Sequence, residues 1–393
     1  MSVINLTILT KEILKNIQIC NQISLKKSDI NLFTNTLVNI NSNLVTLFAS
    51  NNSIFYIGKM KLSNTLGDQS QVKFLVKTEQ LNNILNVITD EFINLIIDTN
   101  KLTLQLKGQK SKHQLRISID ELESFIVPEQ NQKNQLAGFS LTADELNETN
   151  KTCFISVGSP KNMYDTPYLN ICYTLRPSLN QLIIVSTDRF RITRNQLNKE
   201  FVNLNNEVKN TEFTNFLIPP NSLKLVTSAL TEKEVKINLE SEFCFFEIDD
   251  NHVIISRYGD GKFSDYEKII PQSFGCSFVI NTEEFLSSLR QVYWCIANDV
   301  KKSVQVQLDP SQNTLILSAI NINGEESNSE IKLESYEGNN ESWTQFFSAD
   351  YLKDYLSTVK TPSFLWESNP NKPAILSPKD QKSSQFYLVG VLR

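Results

Sequence analysis

Histidine is scarce in this chain of 393 residues, with only His113 and His252 present. Histidine is the usual general base and metal ligand near neutral pH. His113 sits in a basic, strand-like segment and His252 follows Asp249, Asp250 and Asn251 in a turn, so both read as surface residues. The six cysteines, Cys20, Cys153, Cys172, Cys244, Cys276 and Cys295, include no C-x-x-C pair and mostly lie in apolar stretches. In a chain this long they read as buried free thiols, not disulfides or zinc ligands. There is no G-x-x-x-x-G-K-[ST], no G-x-G-x-x-G and no G-x-S-x-G, which removes the common phosphate cradles and the nucleophile elbow. Paired acids such as Asp249 and Asp250 read as turn residues. No catalytic residue, metal or cofactor is expected.

Long apolar runs are also missing. None approaches the roughly 20 residues that a membrane helix needs, and residues 1–14 alternate apolar and polar side chains without a basic start and apolar stretch. A cytoplasmic protein is expected. Positive charge is not in excess: the net charge is −5, whereas a simple nucleic-acid binder is usually basic. Any nucleic-acid contact must therefore come from a local basic surface. What is present is a globular composition, 40% apolar and 21% charged, in a chain long enough for two to four domains.

One pattern recurs six times: an apolar residue, a helix-start segment with Glu, Asp or Asn at the fourth position, then Leu or Phe at the sixth. It reads Leu9-Thr10-Lys11-Glu12-Ile13-Leu14, then Val76-Lys77-Thr78-Glu79-Gln80-Leu81, then Leu141-Thr142-Ala143-Asp144-Glu145-Leu146. It returns as Ile218-Pro219-Pro220-Asn221-Ser222-Leu223, Ile280-Asn281-Thr282-Glu283-Glu284-Phe285 and Phe347-Ser348-Ala349-Asp350-Tyr351-Leu352. An acid in the first turn is favoured by the free amides and dipole, and the prolines suit an N-terminal turn. The stripe continues at Leu85, Val226, Leu289 and Leu356, with helical spacing. The gaps between starts, 67, 65, 77, 62 and 67 residues, argue for duplicated units.

Between these helices lie short alternating or apolar runs bounded by turn residues, among them 55–57, 102–106, 182–185, 235–239, 253–255 and 304–308. Each unit thus reads as a helix followed by antiparallel strands, and two units make a domain of two helices packed on sheets. An α+β chain of three similar domains is expected, 1–130, 135–271 and 272–393, with breaks near residues 129–135 and 271–275. The Asn/Glu-rich tracts 203–214 and 321–342 lack periodicity and read as solvated loops or hairpin tips.

Four segments resemble the bacterial DNA polymerase III beta subunit, the sliding clamp. Ser186-Thr187-Asp188-Arg189-Phe190-Arg191-Ile192-Thr193 resembles its T-D-G-H-R-L-A segment. Arg257-Tyr258-Gly259-Asp260-Gly261-Lys262-Phe263-Ser264-Asp265-Tyr266, with Ile269-Ile270-Pro271, resembles D-G-R-F-P-D-Y…V-L-P. Tyr387-Leu388-Val389-Gly390-Val391-Leu392-Arg393 resembles the Y-V-V-M-P-M-R-L ending, and Tyr168-Leu169-Asn170 the Y-L-N of the second domain. The likeness runs over essentially the whole chain and is weakest in the first third. Departures are Arg189 for glycine, Phe190 for histidine, Ser264 for proline, Gly390-Val391 for Met-Pro, and a missing final leucine.

The resemblance implies a head-to-tail homodimer of DNA-clamp domains, a six-domain ring with helices lining the hole and sheets outside, closed by a two-fold axis. It places the joint on edge strands, where Leu115 and Ile117 would meet Cys295 and Ile296. It implies a groove for short partner peptides of replicative polymerase, clamp loader and repair proteins, lined by Leu169, Thr187, Arg189, Phe190, Arg191, Ile192, Ser264, Lys268, Ile269, Leu388, Gly390, Val391, Leu392 and Arg393. An apolar floor with a few polar handles suits such peptides. Contact with double-stranded DNA would be loose and directed at phosphates. The candidates are Lys11, Lys15, Lys77, Lys151, Lys224, Arg290 and Lys353 on the repeated helices, Lys26, Lys27, Lys110 and Lys112 on loops or strands, and Tyr168 by its family position. Two other readings remain open at this point. A catalytic scaffold would need convergent acids or histidines, and a β-rich interaction scaffold would lack a basic channel.

Overall fold

A computed structural model describes residues 3–64, 71–161, 165–339, 341–381 and 384–392. Helices form at all six recurring starts: α1 (Thr10–Ile23), α2 (Thr78–Leu85), α3 (Ala143–Phe154), α5 (Pro220–Ala229), α6 (Thr282–Ile296) and α7 (Ala349–Leu356), with a single turn α4 (Asn206–Lys209) inside the tract read as a loop. The caps explain several of the starts. Thr142 and Glu145 form a reciprocal capping box, each side chain accepting the other's backbone N–H at 2.8 and 3.2 Å. Asn281 Oδ1 accepts from the Glu284 amide at 3.0 Å, and Ser348 Oγ from that of Tyr351 at 3.4 Å.

The chain forms two compact units. The first comprises Met1–Leu146, Phe201–Val208 and Asn221–Tyr258. Its twelve-stranded antiparallel sheet runs Ile4–Leu9, Phe92–Asp98, Thr103–Lys107, Lys112–Ser118, Val72–Lys77, Asn35–Asn41, Leu44–Ser50, Ile54–Lys61, His252–Arg257, Phe243–Asp249, Glu234–Glu240, Gln135–Thr142. Helix α1 lays Ile13, Ile17, Cys20 and Ile23 against this sheet, a stripe at helical spacing. Each such buried side chain contributes roughly 1.5–3 kcal/mol. Asn16 is buried in the same face but is satisfied: Nδ2 donates to the Glu12 carbonyl at 2.9 Å and Oδ1 accepts from Tyr56 at 2.7 Å.

The second unit comprises Asn147–Glu200, Lys209–Pro220 and Gly259–Arg393. Its nine-stranded sheet runs Thr214–Ile218, Ile171–Arg176, Gln181–Thr187, Arg191–Asn198, Gln385–Val389, Ala374–Pro378, Ser363–Ser368, Cys276–Asn281, Ser335–Gly338. A four-stranded sheet runs Glu326–Lys332, Thr314–Ile320, Ser303–Asp309, Trp343–Ser348. The core of this unit centres on Trp366, stacked on Phe278 at 5.8 Å and met edge-on by Phe347 at 5.3 Å.

Two readings are corrected here. The 321–342 tract carries two strands, Glu326–Lys332 and Ser335–Gly338. Both are sheet edges whose side chains stay largely in solvent, so no apolar alternation marks them. His252 is half-buried at the start of a strand, not a free surface residue. Its Nδ1 bonds Asp249 at 2.7 Å and its ring stacks on Tyr56. All six cysteines are buried and free. Burial pushes the thiols of Cys20, Cys153 and Cys172 up to about 12, which leaves them unreactive.

Candidate functional site

The site grows from one tight hairpin turn in the second unit. Thr187 Oγ1 accepts the Arg189 amide at 3.0 Å, and Asp188 Oδ1 accepts those of Phe190 and Arg191, both at 3.1 Å. These side-chain bonds close the turn in place of backbone ones. They hold Arg189 at φ +74°, a left-handed conformation in which a non-glycine residue is strained. The Arg189 side chain forms an ion pair with Asp165 and lies over the Tyr168 ring at 5.4 Å.

Arg191 points the other way and is nearly buried. Its Nε donates to Asp188 Oδ2 at 2.8 Å, its Nη1 to Asp354 Oδ2 at 2.9 Å, and its guanidinium sits 4.1 Å above the Tyr351 ring. Burial opposes the charge, but Tyr387, Asp188 and Asp354 outweigh it and raise the pKa, so this arginine stays charged. The turn is thereby tied to helix α7.

The next strand, Arg191–Asn198, pairs with Gln385–Val389, setting Ile192 opposite Leu388. Gly390 then donates its amide to the Phe190 carbonyl at 2.9 Å. A Cβ at Gly390 would lie 3.0 Å from that carbonyl oxygen, so the bare backbone fits the close approach.

These pieces enclose a cavity of about 700 Å³. Its floor rests on a buried cluster that includes Ile183, Val185, Ile192, Phe263, Tyr266 and Leu388. Phe190, 63% exposed, and Ile269, 57% exposed, stand at its margin. Tyr168 closes one side, with its hydroxyl hydrogen-bonded to Ser264. Burial pushes the Tyr266 hydroxyl up to about 12, so it remains neutral. The hollow is open and mostly apolar, with Arg189 and Arg191 as the charged residues of its lining.

Of the residues expected in the groove, Thr187, Arg189, Phe190, Arg191, Ile192, Ser264, Ile269, Leu388, Gly390, Val391 and Leu392 come together on this cavity. Leu169 and Lys268 do not line it. Lys268 faces a neighbouring hollow with Arg176 and pairs with Asp265 at 3.0 Å. Arg393 lies outside the described residues. Tyr168, expected at DNA, is among the residues that line the groove. Phe263, Tyr266, Asn371 and Pro373 also line it and were not foreseen.

The basic candidates for DNA contact are unequal. Lys11 and Lys15 lie on α1, Lys151 on α3, Lys224 on α5 and Arg290 on α6. All of these are exposed except half-buried Lys15. Lys77 precedes α2 and donates to Thr34 Oγ1 at 3.1 Å, half-buried, so it is not on a helix face. Lys353 on α7 pairs with Asp350 at 3.6 Å and lies over Tyr293. Lys26, Lys27 and Lys110 are in exposed loops, and Lys112 begins a strand.

Leu115 and Ile117, and likewise Cys295 and Ile296, are buried by their own units. They act there as core residues. The strand of the first pair exposes Lys112, Gln114 and Arg116, and the edge strand packed on α6 exposes Glu326, Asn328 and Glu330. Among the described residues no group of three or more metal-ligating side chains converges, and no helix is long and apolar enough to cross a membrane.

Residues 267–389 match the family model described as DNA polymerase III beta subunit, C-terminal domain. The beta sliding clamp of Rickettsia felis is 24% identical over 400 residues, covering 99% of this chain and 99% of its own. That of Rickettsia bellii is 25% identical over 389 residues, covering 94% and 96%. The crystal structure of the DNA polymerase III subunit beta from Pseudomonas aeruginosa superposes with a TM-score of 0.86 at 18% identity, covering 99% of this chain and 100% of that one, so the fold is shared.

Proposed function

We propose that this chain, a divergent member of the DNA polymerase III beta subunit family, is a DNA sliding clamp: a non-catalytic, cytoplasmic processivity factor. Two copies close head to tail into a ring of six similar domains, each chain giving domains 1–130, 135–271 and 272–393. The ring encircles duplex DNA and tethers replicative polymerase, clamp loader and repair proteins through short peptides seated in the groove around Leu388. The carrying observation is that groove, an open, mostly apolar hollow of about 700 Å³ on a sheet with ionic struts beneath it.

The physics of sliding suits the surface. A chain of net charge −5 gains little from non-specific attraction to phosphates. The scattered cations Lys11, Lys151, Lys224 and Arg290 on four helices offer weak contacts, and weak contacts do not stall translocation. Closure around the duplex, not affinity, then keeps the protein on DNA. For the joint, the strand Lys112–Ser118, which pairs with Val72–Lys77 only at Ile117 and Ser118, would add through the rest of that side to the free edge of Glu326–Lys332 in the other copy. Lys112 and Arg116 on the first face Glu326 and Glu330 on the second, a complementary pairing of sign.

Retention tests the reading. After loading, the protein should stay on nicked circular DNA through gel filtration and leave once that DNA is linearised. Equal loss from both forms overturns it. Negative-stain images of lightly cross-linked protein should show six-lobed rings, and compact particles without a hole would count equally against it.

A further inference from the structure

The hairpin turn beneath the groove has a second copy in the first unit. Ser50 Oγ accepts the Asn52 amide at 3.0 Å, and Asn51 Oδ1 accepts those of Ser53 and Ile54 at 3.1 and 2.9 Å. These are the bonds that Thr187 and Asp188 make. Asn52 has φ +73° where Arg189 has +74°. The strand His252–Arg257 pairs with the strand after this turn, as Gln385–Val389 does in the other unit. It ends in the same contact: the Arg257 amide donates to the Ser53 carbonyl at 2.8 Å, as Gly390 does to Phe190.

Over this second turn lies a cavity of about 440 Å³. Its walls come from the corresponding elements. Phe33 belongs to the 3-10 turn Asn31–Thr34, the counterpart of the Thr166–Leu169 turn that supplies Tyr168. Phe125 and Ile126 stand where the segment containing Ile269 stands in the other groove. Phe243 comes from the strand turn that corresponds to Asn371 and Pro373. Beneath it Phe55, Phe245 and Ile255 form a buried apolar cluster. Ile126 is 79% exposed at the margin.

One difference gives the cavity a chemical preference. Arg257 occupies the place of Gly390 and brings its guanidinium over the Phe243 ring at 4.7 Å, with Nε donating to the Asn52 carbonyl at 3.0 Å. No carboxylate among the described residues forms an ion pair with it. Glu242 lines the same cavity without reaching Arg257 at ion-pair distance. An aromatic floor beside an oriented arginine that lacks a counter-charge complements a large apolar side chain next to a carboxylate.

We propose that this cavity is a second peptide-docking groove, which takes an extended segment of a partner protein carrying a Leu or Phe anchor beside an Asp or Glu. Its occupant class is inferred from the reading of the Leu388 groove as a peptide site, so the experiment reports on each groove separately. Full-length protein labelled with ¹³C at isoleucine methyls is titrated with the peptide acetyl-Gly-Asp-Leu-Phe-Gly-amide and followed by methyl NMR. Ile126→Val and Ile269→Val identify the two reporter signals.

The expected result is saturable movement of the Ile126 methyl with its own midpoint. That movement should persist in an Ile269→Asp variant and weaken about tenfold in Arg257→Gln, the scale of one charge-assisted hydrogen bond. The inference is overturned if Ile269 saturates while Ile126 stays still, if the Ile126 response disappears with Ile269→Asp, or if Arg257→Gln leaves it unchanged. Movement of Ile126 without Ile269 would uphold the second groove and count against the first. Stillness of both at saturating peptide would remove both.

Discussion

The turns at Asn52 and Arg189 share a backbone and differ in what they carry. Both residues sit in the left-handed region, at φ +73° and +74°, each at the centre of the same set of side-chain-to-amide bonds. Asparagine tolerates that conformation, whereas for arginine it costs roughly 1–2 kcal/mol. Two residues on, Ile54 is a buried apolar residue where Arg191 bridges Asp188 and Asp354. The duplicated scaffold is thus held by the turn chemistry, while the second unit has added charge both above and below its groove. Strain retained at one copy and absent from the other marks the place where a side chain does something the fold does not require.

The largest expected effect lies in the charge below the groove. Arg191→Ala leaves the Asp188 carboxylate nearly buried without its partner, and breaking a pair of that kind costs about 3 kcal/mol. Chemical denaturation of the variant should show a loss of that size. Ile54→Ala in the other turn is the companion change and acts through lost packing only, so its cost should not vary with salt or with substitution of neighbouring acids. If Arg191→Ala costs less than about 1 kcal/mol, solvent is already serving the two aspartates and the contrast between the turns is superficial.

A smaller effect separates the grooves themselves. Ile269 is 57% exposed at the margin of the larger one, so Ile269→Asp should leave the melting temperature unchanged. It should weaken peptide binding there at least about tenfold, or 1.4 kcal/mol. Ile126→Asp should leave that same affinity untouched. Equal losses from both substitutions would show that the two hollows respond as one.

Much of this was legible in the sequence, for reasons that differ by element. The six helix starts could be read because caps and apolar stripes are local: Thr142 and Glu145 meet three residues apart. The turn from Thr187 to Ile192 and the terminal strand were recognisable from residue patterns. Asn371 and Pro373 were not, because they reach the groove only through the pairing of Arg191–Asn198 with Gln385–Val389 and of that strand with its neighbour, and the place of Phe263 and Tyr266 in the groove follows from ring packing against Tyr168 and not from their motif. The strand Glu326–Lys332 looked like a loop because an edge strand that faces water needs no apolar alternation. Leu115, Ile117, Cys295 and Ile296 illustrate the reverse: an apolar residue on a strand or helix end has the same pattern whether its own unit covers it or a partner does. Tyr168 was read as a DNA residue from its family position, and only the Ser264 bond and the ring under Arg189 put it in the groove.

The finest test exchanges the two central turn residues. Arg189→Asn should relieve the left-handed strain and lose only an exposed ion pair with Asp165 and a partly exposed stacking contact, each of which contributes little. A gain in stability of up to about 1 kcal/mol is expected. Asn52→Arg should cost about the same, because nothing in the first unit waits to receive the guanidinium. The double exchange should then return close to the parent value, since effects at sites that share no partner add. If Arg189→Asn instead destabilises the protein, the arginine is held for structure by Asp165 and Tyr168. The strain would then be offset within the unit itself. If the variant is stabilised and loses affinity for acidic peptides only, the strained arginine serves the groove's occupant.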